Sequence, residues 1–186
     1  INYSYDDEKD MVSKYNKVRL ILPFIVAISS ASPFVESRST GIVNNRLSYY
    51  MKNQEKIPII CNGIIPEKLE NLSHYHKILE EIYVELRKND AEILAKEWVN
   101  SRGVIIRENR SCIEVKALDE QESIHSDMAI TAFISALLRA ENLGIDEDED
   151  TLRELLFEAI YRGTEKLKPE LFNLYNKALK YATNEE

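Results

Sequence analysis

Glycine is scarce in this chain, at 5 of 186 residues, and so is cysteine, at two. So little glycine leaves few positions for tight turns and favours helices over a fold of many short strands. Cys61 and Cys112 lie far apart, with no CxxC and no Cys/His ligand spacing around them. That excludes a disulfide framework and a zinc-finger pattern, and makes a reduced, cytoplasmic protein the expectation. The three histidines, His74, His76 and His125, are equally without ligand spacing. Positive charge is in deficit, with 24 Lys and Arg against 32 Asp and Glu and a net charge of −8. Nucleic acid and anionic membrane both select basic surfaces, so neither is expected as a partner. Long apolar runs are missing too. Residues 20–35 form the most apolar stretch, but it is shorter than the roughly 20 residues of a membrane span and is broken by Pro23 and Pro33. Its place in the chain does not suit a signal peptide.

No internal repeat and no Gly/Ser-rich linker divides the sequence. Its length fits one domain able to bury a core. The chain opens on Ile1 with the alternating "INYSY", a strand with no lead-in, which raises the expectation of a fragment or processed product. The spacing of Val18, Ile21, Leu22, Ile25 and Ile28 predicts a helix from about Asp7 to Ser30, with Pro23 expected to kink or restart it. "SPFVESRSTG" reads as a loop, "NNRLSYYMKNQEK" as a helix and "IPIICNGIIP" as an extended or turn segment. A helix is predicted from Pro66 to about Lys88, and a shorter one over "DAEILAKEWVN" with Asp90 as its N-cap. Two strands follow at about 103–108 and 112–118. Helices are then predicted over 124–142, with Ile130, Phe133, Ile134, Leu137 and Leu138 as the apolar stripe, after the acidic run "DEDED", and from Pro169 to about Thr183. The expected fold class is α+β, with helices packed on a small antiparallel sheet.

The strand pair carries the chemistry. In "IIRENRSCIEVKALDEQES", residues 105–123, a hairpin that unites Val104 and Ile106 with Ile113 and Val115 brings Arg107 onto the face of Glu114 and Lys116. Two readings of that face stand side by side. It is a sheet surface with cross-strand ion pairs, each contributing about 0.2–1 kcal/mol, or it is a polar wall where Glu114 holds a divalent cation and the cations neutralise phosphate or carboxylate oxygens.

The segment "EWVNSRGVIIRENRSCIEVKALDEQES" resembles the C-terminal motif of the glutamate–cysteine ligase family 2, the carboxylate–amine ligases. These are relatives of glutamine synthetase, whose signature contains a similar Glu-x-Arg-x-x-Asp. The earlier "RLILPFIVAISSASPFVESRSTGIVNNR" is similar to a second motif of the same family, in the same order, and the resemblance covers roughly residues 1–143. It implies part of a glutamine synthetase-like catalytic funnel and the ATP- and Mg2+-dependent formation of an amide bond. The γ-carboxylate of glutamate becomes an acyl phosphate, and an amine, cysteine or another, then displaces phosphate.

By that resemblance Glu114 is a metal ligand, and Lys116 and Arg38 are catalytic. Arg107, Arg110 and Thr40 serve the nucleotide phosphates, and Arg46 and Asp119 serve the substrate. The chain departs from the family at Lys116, where arginine is usual, and at Ser37, where glycine is frequent. An ammonium keeps the charge of a guanidinium but not its two-pronged geometry. Family members are about twice this length. The resemblance therefore implies that residues 1–186 are the C-terminal portion of a single catalytic domain, with the N-terminal half absent and supplied by the same protein or a partner chain. A homo-oligomer is a further expected association, and a non-catalytic binding or assembly module retaining the fold is the alternative.

Overall fold

A computed structural model describes residues 1–183. It is α+β, with six α-helices and a small antiparallel sheet. The chain divides into two compact units, residues 1–19 with 50–116 and residues 20–49 with 117–186.

The first unit is built on a three-stranded sheet. Strands β1 (Asn2–Ser4), β4 (Val104–Arg107) and β5 (Cys112–Val115) pair antiparallel in the order β1-β5-β4. The register sets Val104 opposite Val115, Ile105 opposite Glu114 and Ile106 opposite Ile113, which keeps the residues on the faces that the alternation of the sequence assigned. Val104, Ile105 and Ile106 are all fully buried, so both faces of β4 are covered. Its outer edge is closed by one hydroxyl. The Tyr75 hydroxyl accepts from the Ile106 N–H at 3.1 Å and donates to the Ile106 carbonyl at 3.3 Å, which removes the open edge that would otherwise recruit another strand. Burial pushes the Tyr75 phenol up to about 12, although its bonds to Ile106 and Asn100 pull the other way, so it stays protonated and able to donate.

Helix α1 (Glu8–Ser29) supplies residues to both units and runs unbroken through Pro23, where a kink or restart was expected. Asp7 caps it by accepting from the Asp10 N–H at 2.8 Å. Met11, Tyr15 and Val18 form its buried stripe in the first unit. Helix α3 (Leu72–Lys88) starts six residues later than predicted. Asn16 clasps the preceding segment at Leu69 through both its N–H (2.9 Å) and its carbonyl (2.8 Å), and Asn71 then caps the helix. Pro66 opens no helix; its carbonyl accepts from Arg19 Nε at 2.8 Å.

The predicted helix over residues 90–100 is absent. Asp90 has φ +55 and occupies the left-handed position that closes α3, with its N–H on the Arg87 carbonyl and the Ala91 N–H on the Leu86 carbonyl. Two 3₁₀ turns follow, Glu92–Leu94 and Glu97–Val99. Beneath them lies Arg102, 1% exposed. Its Nε and Nη2 each lie 2.7 Å from a Glu67 oxygen, and Nη1 donates to the Ile59 carbonyl and to Asn100 Oδ1.

In the second unit, helices α4 (Ile124–Arg139) and α6 (Lys168–Tyr181) pack on each other. Helix α5 (Glu149–Arg162) begins at an Asp148 cap, which places the acidic run where the helix dipole favours it. The segment read as a loop contains a two-stranded hairpin, β2 (Phe34–Val35) with β3 (Arg38–Ser39), and α2 (Asn45–Lys52) follows.

Glu67→Gln leaves the buried Arg102 without its counter-charge. The expected loss is about 3 kcal/mol, the lower end for a broken buried pair because Glu67 is 31% exposed. A urea unfolding midpoint unchanged from the unaltered protein would contradict this.

Candidate functional site

The residues singled out from the sequence fall into two clusters, one in each unit. In the first unit, Arg107 ends β4 and Glu114 lies within β5 on the same face, and Arg107 Nη1 donates to Glu114 Oε2 at 3.0 Å. Arg107 Nε is 3.6 Å from Glu97 Oε2, an ion pair without a hydrogen bond. Glu97 is itself fixed, its Oε1 accepting from the Glu108 N–H at 2.9 Å. One guanidinium thus sits against two carboxylates, with 18% of its side chain exposed against 26% for Glu114 and 23% for Glu97. At that burial the pair is screened less than a surface ion pair.

Lys116 follows β5. Its Nζ donates to the Asn100 carbonyl at 2.9 Å and to the Trp98 carbonyl at 3.3 Å, while its own N–H holds the Gly103 carbonyl. Burial lowers its pKa, Glu114 raises it and Arg107 lowers it further. Arg110 stands apart from this face, exposed on the 3₁₀ turn Glu108–Arg110. Cys112 lies between the strands' charged residues, but burial raises its pKa against the pull of Arg110 and Arg107, so the thiol stays protonated and unreactive.

In the second unit the centre is Asp119, whose side chain is 2% exposed. Its Oδ2 accepts from the Ala31 N–H at 2.9 Å and the Ser32 hydroxyl at 2.7 Å, and its Oδ1 accepts from Arg46 Nε at 2.6 Å. It therefore fixes the turn after α1 and orients Arg46. Thr40 bonds to Asn45 and takes the Ile42 N–H at 3.1 Å, and Asn45 Nδ2 reaches the Ser32 and Ile42 carbonyls. Arg38 is exposed on β3. The hairpin turn before it places Glu36 at φ +48 and Ser37 at φ +64, a two-residue turn that ordinarily takes Asn-Gly.

Sequence reasoning missed Glu97, Asn100, Arg102 and Asn45. Glu97 opens the 3₁₀ turn Glu97–Val99 and Asn100 ends it, in a stretch read as a helix, and the buried Asn45, Asn100 and Arg102 are recognisable only through their tertiary partners. A hard cation such as Mg2+ is commonly held by one or two protein carboxylates, with phosphates and water completing its shell. Glu114 and Glu97 suit that chemistry. Among the described residues no group of three or more His, Cys, Asp or Glu side chains is placed to hold a metal.

A model of glutamate–cysteine ligase family 2 matches residues 1–161. The chain belongs to this family. A protein of Archaeoglobus fulgidus, described as uncharacterized, is 49% identical over 187 residues, an alignment that takes in 100% of this chain and 50% of the relative. The chain thus spans about half the length of the curated relative it matches. Family membership suggests a ligase. No described helix of this family member is long and apolar enough to cross a membrane.

Two substitutions probe the second-unit cluster. Ser37→Gly is expected to raise stability by about 0.5–1 kcal/mol, because relief of the left-handed strain exceeds the added freedom of the unfolded chain. Asp119→Asn is expected to cost roughly 1.5–3 kcal/mol through its charged partner. Both are read from urea unfolding midpoints, and no downward shift for Asp119→Asn would contradict the assignment.

Proposed function

We propose that this chain is the C-terminal portion of an ATP-dependent carboxylate–amine ligase that joins glutamate to an amine, cysteine or another, through a γ-glutamyl phosphate. The observation that carries the proposal is the coincidence of the family match with the half-buried Glu114–Arg107–Glu97 arrangement. In this reading a glutamate carboxylate oxygen attacks the γ-phosphorus of ATP and ADP leaves; the amine nitrogen then attacks the acyl carbon and phosphate leaves. Mg2+ held by Glu114 would screen the approaching anions. Arg107 and Lys116 provide positive charge beside it, and Arg110 supplies a more exposed cation on the adjoining turn.

The second-unit residues are assigned by the same reading. Arg38 acts at the acyl phosphate and Thr40 contacts phosphate oxygen. Arg46, steered by Asp119, binds the substrate carboxylate. The remaining metal ligands and nucleotide contacts belong to an N-terminal half of the same protein or to a partner chain, and the protein works in the cytoplasm.

A non-catalytic binding module is favoured by one feature, the engagement of the Lys116 ammonium by two backbone carbonyls where the family usually has arginine. The two readings separate in one assay. The ligase reading expects the intact protein, given Mg2+, ATP, glutamate and a panel of amines, to release ADP in a glutamate-dependent reaction. Glu114→Gln should lower that rate about 10²–10³-fold, as loss of a preorganised electrostatic group does. Nucleotide binding without ADP release across the whole panel would favour the binding module.

A further inference from the structure

The segment leading from the 3₁₀ turn Glu97–Val99 into β4 receives Lys116 through three backbone carbonyls. Lys116 Nζ donates to the Asn100 carbonyl at 2.9 Å and to the Trp98 carbonyl at 3.3 Å, and the Lys116 N–H donates to the Gly103 carbonyl at 2.8 Å. A lysine ammonium on its four-carbon stem is ordinarily a mobile point charge. Here its place depends on where those carbonyls point.

The direction of the Asn100 carbonyl is set from inside the protein. Asn100 is 0% exposed, and its Oδ1 accepts from the Arg102 N–H at 3.3 Å. That is the bond of an Asx turn, in which a side-chain carbonyl stands in for a backbone one and fixes the bend of the chain. The same oxygen accepts from Arg102 Nη1 at 3.3 Å, and Arg102 is itself gripped by both Glu67 oxygens and by the Ile59 carbonyl. The next N–H, that of Ser101, donates to the Ile60 carbonyl at 2.8 Å. A trans peptide is planar, so the Asn100 carbonyl points opposite to that N–H. One edge of this peptide therefore faces Ile60 and the other faces Lys116.

We propose that Asn100 is a positioning residue of the candidate site, its side chain locked to Arg102 so that the following peptide presents its carbonyl to the Lys116 ammonium. What Lys116 does once held rests on the ligase reading; that Asn100 holds it does not. Tyr75 supplies the contrast. It meets Asn100 Nδ2 at 3.3 Å and belongs to the same buried network, but it bonds the edge of β4 and not the Arg102 side of Asn100. A variant at Tyr75 thus loosens the core while leaving the Asx turn in place.

Hydrogen exchange at the Lys116 ammonium tests this in the intact protein with isotopically labelled lysine. An ammonium held by two carbonyls keeps its hydrogens long enough to give a hydrogen–nitrogen correlation, identified by its absence from Lys116→Arg. Asn100→Ala is expected to speed that exchange about tenfold, the equivalent of one lost hydrogen bond to a charged group. Tyr75→Phe is expected to leave it as it is. A signal unchanged in Asn100→Ala, missing from the unaltered protein, or lost equally in Asn100→Ala and Tyr75→Phe would overturn the proposal. In the ADP-release assay, Asn100→Ala should lower kcat/KM about tenfold and cost Lys116→Met nothing further, because a residue that acts through another has nothing left to act on. An equal fall in both backgrounds would overturn the proposal too. Absence of ADP release from the unaltered protein counts against the ligase reading, and the exchange measurement then decides the role of Asn100.

Discussion

Everything in the first unit rests on a cation that water does not reach. Arg102 carries a full charge at 1% exposure, and it is tolerable there because Glu67 meets it with two parallel bonds and the Ile59 carbonyl and Asn100 take another nitrogen. Desolvating such a pair consumes most of its Coulomb attraction, so its contribution is geometric more than energetic. Asn100 passes that geometry on. Its Nδ2 meets the Tyr75 hydroxyl, which closes the edge of β4, and its carbonyl holds the Lys116 ammonium. From Glu67 to Lys116 the connections are hydrogen bonds that run through the buried Arg102 and Asn100. The charged face of the hairpin is therefore set by groups behind it.

The second unit uses the same device with the sign reversed. There the buried charge is the Asp119 carboxylate, matched by one backbone N–H, one hydroxyl and one guanidinium. Asn45 extends the lock to Thr40 and to the Ser32 carbonyl. A carboxylate with three donors around it has little capacity left for a ligand. Its service to function would run through Arg46, whose Nε it holds while 38% of that side chain stays exposed. In both units, then, a buried ion fixes the backbone and a more exposed partner carries the charge outward.

These arrangements explain which parts of the protein were legible in its sequence. The faces of the strand pair were read correctly because alternation puts Val104 and Ile106 on one side with Ile113 and Val115. Helices α1 and α4 were visible through apolar spacing, α5 through its acidic start and α6 from Pro169. The errors came where a polar side chain overrode local preference. Pro66 suits a helix start, but Asn16 clasps Leu69 and the segment stays out of the helix. Asp90 suits an N-cap, yet it serves α3 as a left-handed terminator. The β2–β3 hairpin escaped notice because Glu36 and Ser37 are not the residues that such a turn prefers. At the site, the charged face was legible as a pattern. Glu97 and Asn100 were not, because no periodicity announces a 3₁₀ turn.

The central proposal is that the face shared by Arg107 and Glu114 would take a metal-bound nucleotide, with Glu114 as a ligand to the metal and Arg107 as a cation for the phosphates. The most direct measurement is the affinity of the intact protein for Mn2+ in the presence of ADP, followed by the electron spin resonance of the free ion. Glu114→Gln should weaken binding at least tenfold, and Arg107→Met, which removes a cation from beside the nucleotide phosphates, should weaken it as well. Equal affinity in the unaltered protein and in Glu114→Gln would contradict the account.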